Sequence, residues 1–296
     1  MRSAWRPWPR QPWLQRLFVT VVLVAVACTA WGFFWEPRQL VERDYDFALP
    51  HWSRECEGLR LDVIADTHTG SPYNGLDKLD QIVARLSASD ASAVLMAGDY
   101  VILSVFGGTY ISADELAPHL KPLTARKPVY AVLGNHDWWK DGPKVRAALE
   151  SAGVIVLEDQ AKAAQFGACK LWIVGIGDKW TARHDVAGAF AGVSDDAPAI
   201  ALTHNPDLFP DIPPRASLTI AGHTHGGQVR LPWIGTPVLP AQQRYAGGYL
   251  IERGKHLFVS TGIGTSILPV RFGVPPEISR LRLRAASRPQ ADSAQR

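Results

Sequence analysis

The sequence predicts an α/β layered domain behind one N-terminal membrane-spanning helix. Three observations predict it. Residues 17–35, LFVTVVLVAVACTAWGFFW, run without a charge. From residue 59 onward short apolar runs recur, each bounded by Gly, Asp, Asn or His. Helical-period stretches lie between them, and strands alternating with helices make a layered α/β domain.

At about 1.5 Å per residue, the N-terminal run covers most of a ~30 Å hydrocarbon core. Trp13, Trp31 and Trp35 stand near its edges, where amphipathic rings favour the headgroup layer. Arg2, Arg6, Arg10 and Arg16 precede it; Glu36, Glu42, Asp44 and Asp46 follow, with Arg38 and Arg43 among them. This bias predicts a cytoplasmic basic tail (1–16), an anchor (17–35) and a domain on the far side of the membrane. A cleaved signal peptide has a shorter apolar region. Here the run passes the small residues Ala25, Val26 and Ala27 into Trp31–Trp35, which favours a retained anchor. Lipidation at Cys28 has only a weak lead-in.

Residues 36–57 read as a stalk, 58–284 as the domain, and 285–296, rich in Ala, Ser, Gln and Arg, as a disordered tail. The apolar runs at 59–65, 93–97, 129–133, 171–174, 199–203, 218–221 and 256–260 have the length and Val/Ile content of buried strands. Residues 76–89 carry Leu76, Leu79, Ile82, Val83 and Leu86 at helical spacing, and 143–152 open on Pro143 and stop at Gly153.

With 47% hydrophobic and 20% charged residues in 296, the chain can build a core. A net charge of +3 with no basic stripe in the body argues against a nucleic-acid partner and a nuclease. Cys28, Cys56 and Cys169 match no zinc or redox spacing; a Cys56–Cys169 bridge stays open, with nothing in the sequence favouring it.

Five apolar runs end in metal-ligating residue types: Asp66-Thr67-His68, Gly98-Asp99, Gly134-Asn135-His136-Asp137, His204 and Gly222-His223-Thr224-His225. Open α/β sheets place their ligand sites at this strand end. Residues two apart on extended backbone share a side, so Asp66/His68 and His223/His225 can each reach one cluster. Carboxylates, imidazoles and an amide oxygen without thiolate suit Mn, Fe or Zn. Seven ligands exceed one tetrahedral ion and suit two ions sharing a carboxylate. Any one of these residues alone would more often be a turn residue or a satisfied buried histidine; five motifs in this order are hard to obtain by chance.

This series resembles the calcineurin-like metallophosphoesterases, over about residues 59–282. It is most similar to a bacterial membrane-bound branch marked by Gly222-His223-Thr224-His225-Gly226-Gly227-Gln228 and by the Pro269-to-Glu277 segment PVRFGVPPE. The resemblance implies a four-layer sandwich, two mixed β-sheets flanked by helices. It implies one metal on Asp66, His68 and His225, a second on Asn135, His204 and His223, Asp99 bridging them, and a bridging hydroxide attacking phosphorus. His136 would be the general acid or an electrostatic stabiliser. Where the protein-phosphatase branch has an Asp that orients this His, the chain has Ile102. That departs from a phosphoprotein phosphatase and leaves His136 to be oriented by Asp137 or a backbone carbonyl.

The implied activity is a phosphohydrolase, a phosphodiesterase at the envelope of a bacterial inner membrane with a periplasmic domain. Its substrate would be a phosphorylated small molecule or lipid-linked ester. Some membrane-bound relatives cleave the pyrophosphate of a UDP-linked diacylglucosamine in lipid A synthesis; the cytoplasmic location of that nucleotide conflicts with the orientation above. A non-catalytic scaffold is disfavoured because all seven ligands and His136 are kept. Substrate contacts are expected at Arg271, which can pair with a phosphate oxygen or form a structural ion pair, and at Trp139, which with Trp138 can stack or simply pack. Lys179, Trp180 and Arg183 form a further rim. Residues 101–110 (VILSVFGGTY) read as a lid touching lipid or as an ordinary packed loop.

Overall fold

The computed structural model describes residues 12–181 and 184–286. The basic tail up to residue 11, Arg183 and the C-terminal residues 287–296 lie outside the described residues.

The described strands are β1 (Val41–Leu49), β2 (Leu59–Ile64), β3 (Ala93–Met96), β4 (Val129–Ala131), β5 (Ile155–Val156), β6 (Gln160–Phe166), β7 (Cys169–Ile176), β8 (Ala199–Thr203), β9 (Leu218–Ala221), β10 (Gly248–Glu252), β11 (Lys255–Val259) and β12 (Glu277–Ala285). The helices are α1 (Pro12–Ala30), α2 (Leu76–Ala88), α3 (Ala113–Leu116), α4 (Lys121–Thr124), α5 (Asn135–Ser151) and α6 (Val186–Ala191). The strands form two mixed six-stranded sheets, ordered β1-β12-β2-β3-β4-β5 and β10-β11-β9-β8-β7-β6. In the first, β2 to β5 run parallel and β12 is antiparallel to β2; in the second, β7, β8, β9 and β11 run parallel.

Strand alternation explains the layering. Leu61, Val63, Leu95 and Val132 of the first sheet pack with Leu171, Ile173, Ile200, Leu202 and Ile220 of the second, forming the core between sheets. The alternate residues Ile64, Val94 and Met96 face outward onto Leu79, Ile82 and Leu86 of α2 and Val145 and Leu149 of α5. On the other outer face, Val174, Ile176 and Ala201 meet Ala189 of α6 and Leu208. Both faces are covered at β3, β4, β8 and β9, so these strands carry no charged residue and are buried throughout, while β2 keeps Arg60 and Asp62 near its start.

The segment 36–57 is not a stalk. Val41–Leu49 is the edge strand of the first sheet, nine residues in parallel register with β12. Glu42, Arg43, Asp44 and Asp46 hid it: charged side chains are what an edge strand carries on its exposed side. Phe47 and Leu49 point inward, and Phe47 stacks on Tyr249 at 4.2 Å. The C-terminal boundary also shifts, because Ala285 ends β12 inside that sheet.

α1 begins earlier than residue 17, leaves all its residues unburied, and is long and apolar enough to cross a membrane. It continues through a π turn, Trp31–Trp35, and a 3₁₀ turn, Glu36–Arg38, straight into the domain. Trp31 Nε1 donates to Glu36 Oε2 (2.7 Å), and Glu36 Oε1 accepts the Val274 N–H (2.6 Å). Arg271 N–H donates to the Gly32 carbonyl at 3.0 Å. The helix base is thus bonded to the domain at two places.

The bridge left open by the sequence is formed: Cys56 and Cys169, 113 residues apart, join the turn Arg54–Cys56 to the start of β7. A crosslink closing so long a loop restricts the unfolded chain. Replacing both cysteines with Ala is expected to lower stability by about 2–5 kcal/mol in urea unfolding. Reduction should reproduce the loss in the native sequence and change nothing in the variant.

Candidate metal centre

The seven predicted ligands come from loops following five central strands, β2, β3, β4, β8 and β9, and all are buried. The local backbone is unusual. Asp66, His68, Asp99, His223 and His225 all have positive φ, between 39° and 71°. The left-handed conformation costs a non-glycine residue about 1–2 kcal/mol, and such residues cluster where function over-determines the chain. Glycines permit the close approach. A Cβ on Gly98, itself at φ +90°, would lie 2.7 Å from both Gly134 N and His204 Nδ1; one on Gly222 would lie 2.8 Å from Asp66 Oδ2.

Side-chain atoms converge in two groups. His68 Nε2 faces His225 Nε2 at 3.1 Å, and His225 Nε2 lies 3.5 Å from Asp66 Oδ1. His204 Nε2 lies 3.2 Å from Asn135 Oδ1 and 3.1 Å from His223 Nδ1. Asp99 Oδ2 belongs to both groups, 3.5 Å from His68 Nε2 and 3.2 Å from His204 Nε2. The His204 tautomer is set by Nδ1, which is 2.7 Å from the Ala97 carbonyl and so carries the proton. In the neutral ring that leaves Nε2 a lone pair, facing a carboxylate oxygen, an amide oxygen and a second imidazole. Lone pairs gathered in a buried space, with few protons among them, are the arrangement a cation satisfies. His225 Nδ1 has no hydrogen-bond partner either.

Electrostatics agree with a ligand role. Burial holds His68 and His223 down to about 3 and His225 well below its ordinary value, so these imidazoles are neutral, as ligation requires. Burial also opposes charge on His204, but the adjacent Asp99 carboxylate outweighs it and raises His204 to about 10. Asp99 is itself held well below the carboxylate range by the surrounding histidines, against the effect of burial. In the metal-free protein the His204 proton occupies the place of a cation. The donor set, nitrogen and oxygen without sulfur, fits two divalent ions sharing Asp99.

His136 lies at the rim, its ring edge-on to His68 at 4.6 Å, and its N–H donates to Asp99 Oδ1 at 2.9 Å. Asp137 does not orient it. Asp137 Oδ1 accepts from Tyr100 and Val101 N–H, and Oδ2 from Asp99 and Gly134 N–H, at 2.9–3.2 Å. Burial pushes Asp137 up to about 7, while four N–H donors favour the ionised form and occupy both lone pairs of each oxygen. Its place is to tie the β3 loop to the start of α5, and among the described residues no carbonyl holds His136 Nδ1 either.

Arg271 is a second correction. It is fully buried, and its guanidinium donates to the Thr261, Gly264 and Val274 carbonyls at 2.6–3.1 Å. Every arm is used on backbone, so it braces the loop under the site and reaches no substrate. Trp139 is half-exposed and stacks with Trp180 at 6.0 Å; Trp180 sits edge-on to His223 at 4.3 Å. Lys179 turns away and donates to the Asp207 carbonyl. Residues 101–110 divide: Val101, Ile102 and Val105 pack inside, while Phe106 is exposed. One residue escaped notice. Asp178, fully buried at the end of β7, accepts the Thr181 N–H and leaves Oδ1 unpartnered. The Gly177-Asp178 pair after an apolar run was the available signal.

A cleft of about 420 Å³ opens over these groups; Asp99, Asn135, His136, Trp139, Trp180, His223 and His225 line it together with the apolar Leu103, Val238, Leu239, Pro240 and Ile267. Replacing Asp137 with Ala removes four acceptor bonds and is expected to destabilise the metal-free protein by about 3–5 kcal/mol. His136→Ala should cost under ~1 kcal/mol by comparison. Urea unfolding of both variants checks this.

The calcineurin-like phosphoesterase family matches residues 59–227. The chain is 30% identical over 227 residues to the phosphodiesterase YaeI of Escherichia coli, covering 74% of this chain and 80% of that one. It is 26% identical to the uncharacterized metallophosphoesterase YkuE of Bacillus subtilis, covering 90% and 94%. It is 24% identical to the UDP-2,3-diacylglucosamine pyrophosphatase LpxG of Chlamydia muridarum, covering 88% and 94%. Fold and match agree: the chain belongs to the calcineurin-like phosphoesterases, and is a phosphoric ester hydrolase of that family.

Proposed function

We propose that the protein is a membrane-anchored phosphodiesterase using two divalent ions, one on Asp66, His68 and His225, the other on Asn135, His204 and His223, with Asp99 between them. The observation that carries this is the position of Asp99 Oδ2, within 3.5 Å of a histidine of each group. Such an ion pair, when bound, neutralises phosphoryl oxygens and lowers the pKa of water toward neutrality. The chain's own residues orient the ester. His136 stands at the mouth of the cage, where it can protonate the leaving oxygen or stabilise its charge. Trp139 and Trp180 wall one side and exclude water. The donors suit Mn, Fe or Zn equally.

Charge in the cleft favours a diester. No Lys or Arg lines it among the described residues. A monoester dianion or a pyrophosphate brings charge that such apolar walls do not compensate, whereas a diester carries one negative charge for the ions to meet. The apolar wall gives one observation in favour of a UDP-diacylglucosamine-type pyrophosphate as a second reading, and the missing cations weigh against it. The Cys56–Cys169 bridge supports an oxidising compartment and therefore an extracytoplasmic domain, in line with the arginines before α1 and the positive-inside bias.

The test is metal content and turnover of the full chain in detergent, with bis(4-nitrophenyl) phosphate and 4-nitrophenyl phosphate in Mn²⁺. Two ions per chain and preferential diester hydrolysis are expected. His136→Ala should keep its metal and lose about 10²–10⁴ in kcat, while Asp99→Asn should lose both. Full metal and activity in Asp99→Asn would remove the bridging role, and a metal-free, inactive native chain would favour a scaffold.

A further inference from the structure

The apolar half of the cleft is continuous with the base of the membrane helix. Three loops build it, and hydrogen bonds join them into one surface. Phe106 N–H donates to the Ile267 carbonyl, and Val105 bridges Ile267. Gln228 clasps the third loop, its Nε2 donating to the Leu268 carbonyl and its Oε1 accepting the Ser266 N–H. Arg230 N–H donates to the Phe272 carbonyl and Phe272 N–H to the Gln228 carbonyl, at the base of the hairpin that carries Trp233 and Ile234 at its tip. The same stretch, Val270 to Phe272, packs on Gly32 within 3.4–3.6 Å of where a side chain would project, so the helix base seats directly on it. What these loops present outward is hydrophobic: Phe106 (77% exposed), Ile234 (73%), Val238 (75%), Ile267 (75%) and the fully exposed Trp233. Trp35 and Phe34, at the helix base, are also exposed.

Soluble domains rarely expose so many large apolar side chains together, and such patches mark membrane or partner surfaces. Here the occupant is specified by the helix. A span exiting the bilayer at Trp31–Trp35, and bonded to this surface with no flexible stalk, holds the patch at headgroup depth. Val238 and Ile267 belong both to the patch and to the cleft lining.

We propose that this face lies on the bilayer and that the cleft takes a phosphodiester lipid, its acyl chain entering along Leu103, Val238, Leu239 and Ile267 while the phosphoryl group reaches the metal cage. This rests on the phosphoesterase reading above. The phosphodiester is cleaved by water: the P–O bond to the leaving alcohol breaks, a P–O bond to water oxygen forms, and the proton goes to the leaving oxygen. A substrate drawn from the membrane needs no solvated path, and the chain-side wall lacks charge for that reason.

Two measurements test it, each on the full chain with Cys28→Ser. In nanodiscs, an environment-sensitive fluorophore on Phe106→Cys or Ile234→Cys should be quenched by doxyl-labelled lipid. The same fluorophore on Gln165→Cys, beside the Cys56–Cys169 end of β6, should not. Equal quenching at all three positions, or none at Phe106 and Ile234, overturns the seating. In detergent below the substrate's own micelle threshold, dodecyl 4-nitrophenyl phosphate should exceed methyl 4-nitrophenyl phosphate in kcat/KM by about tenfold or more, since two buried methylenes already give that factor. Ile267→Ser should narrow the ratio of dodecyl to methyl ester kcat/KM. Equal rates on both esters overturn the chain pocket and leave the phosphodiesterase reading standing; no hydrolysis of either overturns that reading instead.

Discussion

Asp99 lies 3.5 Å from His68 on one side and 3.2 Å from His204 on the other, and the charge balance of the buried centre turns on it. Without a cation, its carboxylate is compensated by protonated His204. With ions bound, that proton has no place, and every histidine can present a lone pair. The protein therefore folds around a set of acceptors that a proton satisfies only partly. A buried carboxylate is costly when unpaired, so the centre is held in readiness by its surroundings rather than by its own contacts.

Those surroundings are backbone. Asp137 binds four N–H groups across two ligand loops. Arg271 binds three carbonyls beneath a third. Asp66 accepts the His223 N–H with both oxygens, tying the first ligand motif to the last. Charge-assisted bonds of this kind are the stronger class, and they offset five left-handed ligand residues. The same Arg271 donates its own N–H to Gly32, so the brace under the site is also the seat of the N-terminal apolar helix.

Legibility from sequence followed the physics of each element. The central parallel strands β3, β4, β8 and β9 are covered on each face, so they stand out as uncharged runs, and the predicted ligand motifs follow them directly. β1 was missed because an edge strand with Glu42, Arg43, Asp44 and Asp46 looks like a solvated linker. β12 was missed because Arg280, Arg282 and Arg284 alternate with Leu281 and Leu283, and Arg280 and Arg284 pair with Glu42 and Asp46 of β1, partners known only once the strands are adjacent. Arg271 looked like a phosphate clamp because sequence gives residue type without direction; its fork faces carbonyls. Asp137, two residues from the predicted ligand Asn135, looked like a partner for His136, and three of its four amide partners lie 36–38 residues away. The Cys56–Cys169 pair needed the two sheets to be brought together before proximity meant anything.

The proposed sharing of Asp99 between two ions can be tested directly. Crystals grown with Mn²⁺ and measured at the Mn absorption edge should show two anomalous peaks about 3.5–4 Å apart, with Asp99 Oδ2 between them and His68 and His204 on opposite sides. A single peak, or two peaks of which only one contacts Asp99, would contradict the bridging arrangement.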